Sequence, residues 1–205
     1  ANKNAHRTLN FEATKRLFEA CQEAEVSKFI FISTVSVYGT FSSKNPISIQ
    51  TQTSPVTPYS IAKLDAEKFL LGSNNSTAIS VIRLPLVYGD NAPGNYGALE
   101  RLAKSRLPLP FLNTRNKRSI VSVELVAKII KNAAQSKEKY LGLHLLAEIR
   151  PYSTKEIIER IKTKNRFSPM LFPVPLFLMK IVLTVIGKGQ MYEQLYEDLE
   201  FVSTI

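Results

Sequence analysis

Apolar and polar positions follow two different periods along this chain. Between residues 8 and 24, Leu17, Phe18, Cys21 and Ala24 recur at helical spacing and share a face, so the segment reads as a helix. Residues 28–33 form a short apolar run ended by Ser33 and Thr34, the pattern of a strand covered on both faces, as in a parallel sheet. Residues 40–57 are polar, carry Pro46 and Pro55, and read as a loop. A helix follows from Pro58 through Leu64 and Leu70 and ends near Gly72-Ser73-Asn74-Asn75. Ile79 to Leu84 is a second apolar run. Strand, helix, strand in this order predicts a parallel pair with a right-handed crossover.

The second half repeats the alternation more weakly. Asp90 to Tyr96 reads as a Gly/Pro/Asn loop, and Ala98 to Lys104 as a short helix ended by Leu107-Pro108-Leu109-Pro110. Ser119 to Val123 reads as a strand. Glu124 to Ala134 reads as a helix with Val126, Ile129, Ile130 and Ala133 on one side, and Leu141 to Ala147 as a strand. Thr154 is the expected N-cap of a helix running to about Lys162, with Glu156 in its first turn. Leu171 to Gly187 is apolar but holds Pro173, Pro175 and Lys180. It is too short and too interrupted for a membrane span, and reads as a packed helix, with contact at a membrane surface as the alternative.

Composition narrows the picture. The 205 residues, 44% of them hydrophobic, suffice for one sizeable core or a core with a small lobe. One cysteine, Cys21, rules out an internal disulfide framework, fits a reducing cytoplasm, and is expected to be buried and inert. His6 and His144 are the only histidines, too few for a convincing zinc site. The net charge of +10 favours anionic partners. The basic residues are scattered and form no nucleic-acid motif, so nucleic acid is not an expected partner. The polar first 25 residues do not resemble a signal peptide.

The candidate chemistry lies at Pro58-Tyr59-Ser60-Ile61-Ala62-Lys63. Tyr59 and Lys63 stand about one helical turn apart and therefore share a face. An ammonium held beside a phenol favours the phenolate, so the Tyr59 pKa is expected to fall below its usual value of about 10. That would make Tyr59 an acid and base near neutral pH. The same spacing also suits a half-buried tyrosine beside a solvated lysine.

Five segments, in order, carry a resemblance: residues 7–14, Phe29-Ile30-Phe31-Ile32-Ser33-Thr34-Val35-Ser36-Val37-Tyr38-Gly39, residues 58–63, Ile82-Arg83-Leu84-Pro85-Leu86-Val87-Tyr88-Gly89, and Arg118-Ser119-Ile120-Val121-Ser122-Val123. Together the chain resembles the extended short-chain dehydrogenase/reductase family, in its nucleotide-sugar epimerase branch, up to about Pro175. The resemblance implies an α/β fold: part of a doubly wound Rossmann parallel sheet with a smaller mixed α/β substrate lobe. Residues 1–90 would be the later half of the dinucleotide domain, joined by 119–147, and residues 91–205 mainly the substrate lobe. The family's Gly-rich turn, which cradles a dinucleotide pyrophosphate, has no counterpart in this sequence. The chain therefore reads as a fragment, silent alone.

The resemblance also assigns roles. Tyr59 becomes the catalytic acid/base, Lys63 its electrostatic partner and a ligand of the nicotinamide ribose, and Thr34 the hydroxyl that steadies the substrate oxygen. Asn10, Ser33, Pro85 and Leu86 fall at cofactor positions, and Ser36, Asn95 and Arg118 at sugar-nucleotide positions. Each has a plainer reading: a turn-capping hydroxyl for Thr34, a local hydrogen bond for Asn10, a surface charge for Arg118. Family dehydratases carry Asp-Glu after the Ser/Thr; here Val35 and Ser36 follow, which argues for an epimerase or reductase. The implied cofactor is NAD, with NADP open. The implied partners are a nucleotide sugar and a second copy in a homodimer.

Overall fold

The computed structural model describes residues 3–73, 77–90, 92, 94–105, 107–136, 140–165 and 170–205. Asn74, Asn75, Asn91 and Pro93, expected in turns, lie outside them. The chain opens with α1 (Lys3–Arg7), a π turn (Thr8–Glu12) and α2 (Ala13–Glu23). Three side chains bond back to carbonyls around the widened turn: Thr8 to Asn4, Asn10 to His6 and Thr14 to Asn10. Such bonds compete with the regular ladder and accompany a bulge.

The expected apolar face of this helix is corrected. Phe18 alone is fully buried, edge-on to Phe29 at 5.2 Å and Phe69 at 6.0 Å. Leu17 points out, 58% exposed, and Cys21 is only partly covered. One aromatic fills the contact, so its neighbours are not needed there.

β1 (Lys28–Thr34) pairs in parallel with β2 (Ala78–Leu84), and β2 with β5 (Gly142–Leu145). α3 (Pro58–Gly72) makes the crossover between β1 and β2. Pro85 has no N–H to give, so the β2 ladder stops at Leu84. The chain continues as β3 (Leu86–Tyr88), which pairs in parallel with β4 (Ile120–Ser122) as a separate two-stranded sheet. Residues 146–148 join the sheets: the Leu146 amide bonds the Arg83 carbonyl and the Glu148 amide that of Ile120.

The remaining helices are α4 (Gly94–Lys104), α5 (Val123–Gln135), α6 (Thr154–Asn165), α7 (Leu176–Val185) and α8 (Gly189–Tyr196). α5 buries Val126, Ile129 and Ala133, at its expected spacing. The cap of α6 differs from expectation. Ser153 and Glu156 form a reciprocal capping box, the serine hydroxyl accepting from the Glu156 amide at 3.1 Å and the carboxylate from the Ser153 amide at 2.8 Å. Thr154 instead donates its hydroxyl to the Leu195 carbonyl at 2.6 Å, tying α6 to α8.

One core lies among α4, α6 and α8, around Phe111, Ile158, Ile161 and Tyr196. Others cover the sheet. The segment 171–187, expected to pack, does so only in part. On α7 Leu183 is buried, while Phe177, Leu178, Ile181, Val182 and Val185 are exposed. A ten-residue helix resting on α8 has one face to bury and leaves the opposite one uncovered. No described helix is long and apolar enough to cross a membrane. The C-terminal residues return to the 40–57 loop and to β5: the Val202 amide bonds the Ile47 carbonyl and the Thr204 amide that of Leu145.

Candidate functional site

The carboxyl end of β1, the turn after it and the first two turns of α3 carry five of the ten residues singled out by sequence: Ser33, Thr34, Ser36, Tyr59 and Lys63. β1 ends at Thr34, which caps the short 3₁₀ turn Val35–Tyr38. Its hydroxyl accepts the Ser36 amide at 3.2 Å and lies 3.0 Å from the Ser36 hydroxyl. Gly39 follows at φ +72°, and a side chain there would strike the Ser54 carbonyl at 1.7 Å. Only glycine lets the 40–57 loop leave the site this closely.

α3 starts on a capping box between Thr57 and Ser60, with Pro58 in its first turn. The cap places Tyr59 at the head of the helix, 37% exposed, its ring 6.0 Å from that of His6 and edge-on. Lys63, one turn on, reaches back to β1. Its Nζ donates to the Ile32 carbonyl at 2.8 Å and stands 4.4 Å above the Phe31 ring.

The electrostatics correct the sequence expectation. Burial pushes the Tyr59 phenol up from its usual value. Burial also pulls the Lys63 ammonium down, opposed by the charge of Glu67. Lys63 gives its charge to the Ile32 carbonyl and the Phe31 face, so it does not lower the Tyr59 pKa here.

Several assigned residues are held otherwise than expected. Ser33 turns its hydroxyl inward to Glu67. Asn10 donates to the His6 carbonyl at 3.1 Å, the local bond of its plainer reading. Pro85 is buried between the two sheets, followed by half-buried Leu86. Asn95 is exposed in the first turn of α4. Arg118 is no free surface charge. Its Nη1 donates to the carbonyls of Phe41 at 3.3 Å, Glu193 at 3.2 Å and Glu197 at 3.0 Å. Burial pushes its pKa down to about 10, with Asp198 opposing. It thus ties the 40–57 loop to α8.

Beneath Thr34 lies a buried ionic cluster that the sequence reading does not single out. The Glu67 carboxylate accepts from Ser33, from Arg83 Nε at 3.1 Å and from Arg83 Nη2 at 2.6 Å. Arg83 Nη1 donates to the Tyr38 hydroxyl at 2.8 Å, which donates to the Ser48 carbonyl at 2.9 Å. One sign was legible: Glu67 repeats the four-residue step from Tyr59 to Lys63.

The arrangement is a phenol and a cation near the carboxyl end of β1, the end of an open parallel sheet at which ligands are held. An ammonium has three donors, and the Ile32 carbonyl takes one.

Residues 2–142 match the NAD dependent epimerase/dehydratase family. A UDP-glucose 4-epimerase of Vibrio cholerae is 28% identical over 199 residues, covering 95% of this chain and 61% of that protein. The structure resembles a UDP-glucuronic acid 4-epimerase of Bacillus cereus solved with NAD, with a TM-score of 0.71 and 20% identity over 96% of this chain and 59% of that one. It also resembles a dTDP-4-dehydrorhamnose reductase of Bacillus anthracis solved with NADP, with a TM-score of 0.68 and 17% identity over 86% of this chain and 60% of that one. The chain thus spans about three fifths of the length of these relatives. Matched over more than half its length and built on the same parallel sheet, the chain belongs to the NAD-dependent epimerase/dehydratase family.

Proposed function

We propose that this chain carries the proton-transfer site of an NAD-dependent nucleotide-sugar epimerase acting on a UDP-hexose at C4. The observation that supports this most is the row of Tyr59 and Lys63 on α3, set against the end of β1 beside Thr34. The similarity to the Vibrio epimerase points to the sugar. Tyr59 takes the proton of the sugar hydroxyl and later returns it. Thr34 and Ser36, already hydrogen-bonded to one another, orient that oxygen. Lys63 places a positive charge where the phenolate forms, a step that needs its ammonium to reach past the Ile32 carbonyl. NAD, bound, supplies the hydride acceptor. Tyr59, Lys63 and the Pro85–Leu86 turn suit its nicotinamide end, with Asn10 and the Ser33 main chain behind. Asn95 faces the sugar nucleotide, and Arg118, tied through Nη1 to three carbonyls, meets it with the rest of its guanidinium. Residues 1–90, with 119–147, serve the cofactor, and residues 91–205 mainly the substrate.

The setting is the cytoplasm, in surface polysaccharide synthesis, with the enzyme as a homodimer. The uncovered face of α7 rests on an anionic membrane surface. Residues 170–191 hold Lys180 and Lys188 and no acidic residue, and the whole chain carries +10.

The test is turnover of UDP-hexose at fixed pH. Residues 1–205 joined to a complete dinucleotide-binding half should interconvert the C4 epimers, and residues 1–205 alone should be silent. Tyr59→Phe in the joined protein should lose about 10²–10⁴-fold in kcat with NAD affinity nearly intact. A Tyr59→Phe rate within a few-fold of the parent removes Tyr59 from the role. Oxidation of added NAD(P)H by a 4-keto sugar nucleotide, with no epimer formed from UDP-hexose, would make the enzyme a reductase.

A further inference from the structure

Tyr59, Lys63 and Glu67 form one row along α3. The last two reach successive residues of the same strand: Lys63 bonds the Ile32 carbonyl, and Glu67 accepts from the Ser33 hydroxyl. Thr34 comes next in the chain. On β2, Arg83 stands opposite Ser33 in register and binds both oxygens of Glu67. Arg83 then continues to Tyr38, in the 3₁₀ turn that Thr34 caps.

Glu67, Arg83, Ser33 and Tyr38 are all buried. Removing a carboxylate and a guanidinium from water offsets much of their attraction, so an apolar pair of similar volume would serve the core as well. The cluster is better accounted for by what it joins. It binds the strand that ends in Thr34, the helix that carries Tyr59 and Lys63, and the strand that runs into Pro85.

We propose that Glu67, with Arg83 as counter-ion, is a positioning residue for the Tyr59–Lys63 pair, locking the end of β1 against α3 and supplying the negative charge that holds the Lys63 ammonium in place. This rests on the reading of that pair as the proton-transfer site. Burial works to discharge Lys63, and Glu67 is the charge that opposes it. The other charged or titratable groups on or against α3 have partners of their own. Arg7 on α1 pairs with Glu12 and with Asp65, and Lys15 on α2 pairs with Glu19. His6 lies against the Tyr59 ring. Arg83 and Tyr38 belong to the Glu67 cluster itself. Lys68, on α3, is exposed.

The experiment is competitive acetylation of the chain across a pH series, read lysine by lysine by mass spectrometry. Glu67→Gln should lower the Lys63 midpoint by about one pH unit, roughly a tenfold gain in reactivity below the midpoint, while Lys117 stays put. Glu67→Gln leaves Arg83 uncompensated and can unfold the chain, so Glu67→Met with Arg83→Met is measured beside it. This double variant should keep the parent circular dichroism and lower the Lys63 midpoint by a smaller step, because the Arg83 cation is removed along with the Glu67 anion. An unchanged Lys63 midpoint in the folded double variant overturns the proposal. Loss of fold in the double variant overturns it too, by making the cluster a structural requirement. No substrate or cofactor is present, so failure here is distinct from failure of the epimerase reading, which turnover decides.

Discussion

Tyr196 donates its hydroxyl to the Pro110 carbonyl at 3.2 Å and stacks on Tyr192 at 5.2 Å. Burial, with the Tyr192 hydroxyl beside it, pushes its pKa up to about 12. Tyr88 is likewise raised to about 12, by burial and by its bond to Glu148. In the unfolded chain both ionise near 10. Between pH 10 and 12 the unfolded chain has lost protons that the folded chain keeps, so stability present below pH 10 drains away as pH rises. The urea midpoint should therefore fall between pH 9 and pH 11, and Tyr196→Phe should flatten that fall. An equal fall in the variant would clear Tyr196 of the effect. Neither tyrosine stands out by residue type; only the pocket made by Phe111 and Tyr192 sets the shift of Tyr196. Tyr59 and Lys63, by contrast, were legible as a pair from their spacing. What spacing could not give was the direction of the Lys63 side chain, which goes to Ile32.

At the scale of the element, local chemistry and helical period go far. α3 begins where Thr57, Pro58 and Ser60 dictate, and α5 buries the side that its apolar residues mark. Thr57→Ala removes the hydroxyl that accepts the Ser60 amide, so it should cost about 1 kcal/mol in a denaturant melt. Because that cap also aims Tyr59, no loss of stability would mean that the helix start is held by tertiary contacts alone. At α6 the sequence placed the cap one residue late. Ser153 and Thr154 are equally good caps by type, and the nearby Leu195 carbonyl decides between them by taking the threonine hydroxyl. Packing also overrode pattern in α2, where Phe18 fills its contact and leaves Leu17 outside.

At the scale of the whole molecule, exposed apolar surface is unevenly spread. Of the 22 exposed large hydrophobics among the described residues, nine lie between Met170 and Met191. Such concentration marks an interaction surface rather than scattered exposure. On α7 the five outward positions, 177, 178, 181, 182 and 185, form one stripe opposite buried Leu183. The chain should co-sediment with phosphatidylglycerol vesicles at low salt and less with phosphatidylcholine vesicles. Ile181→Ser with Val185→Ser should weaken that binding several-fold with the melting temperature unchanged. Equal binding by the variant, or concentration-dependent self-association in place of vesicle binding, would end the membrane reading.

The sequence by itself determined α2, β1, α3, β2, α5 and β5, the parallel pair joined by α3, and the family; it showed neither β3 nor α8, and it started α4 late. What it did determine rests on period, capping and short ordered segments, which are properties of neighbouring residues. Tertiary structure alone decided which side chains meet across long separations. It gave Arg83 to Glu67 and Ser33, and Arg118 to the carbonyls of Phe41, Glu193 and Glu197. It moved the chain after Pro85 into a second sheet, and it left α7 uncovered on one face. A charge inside a protein takes whichever partner the packed backbone brings within hydrogen-bond reach, and that partner is not written in the residues beside it.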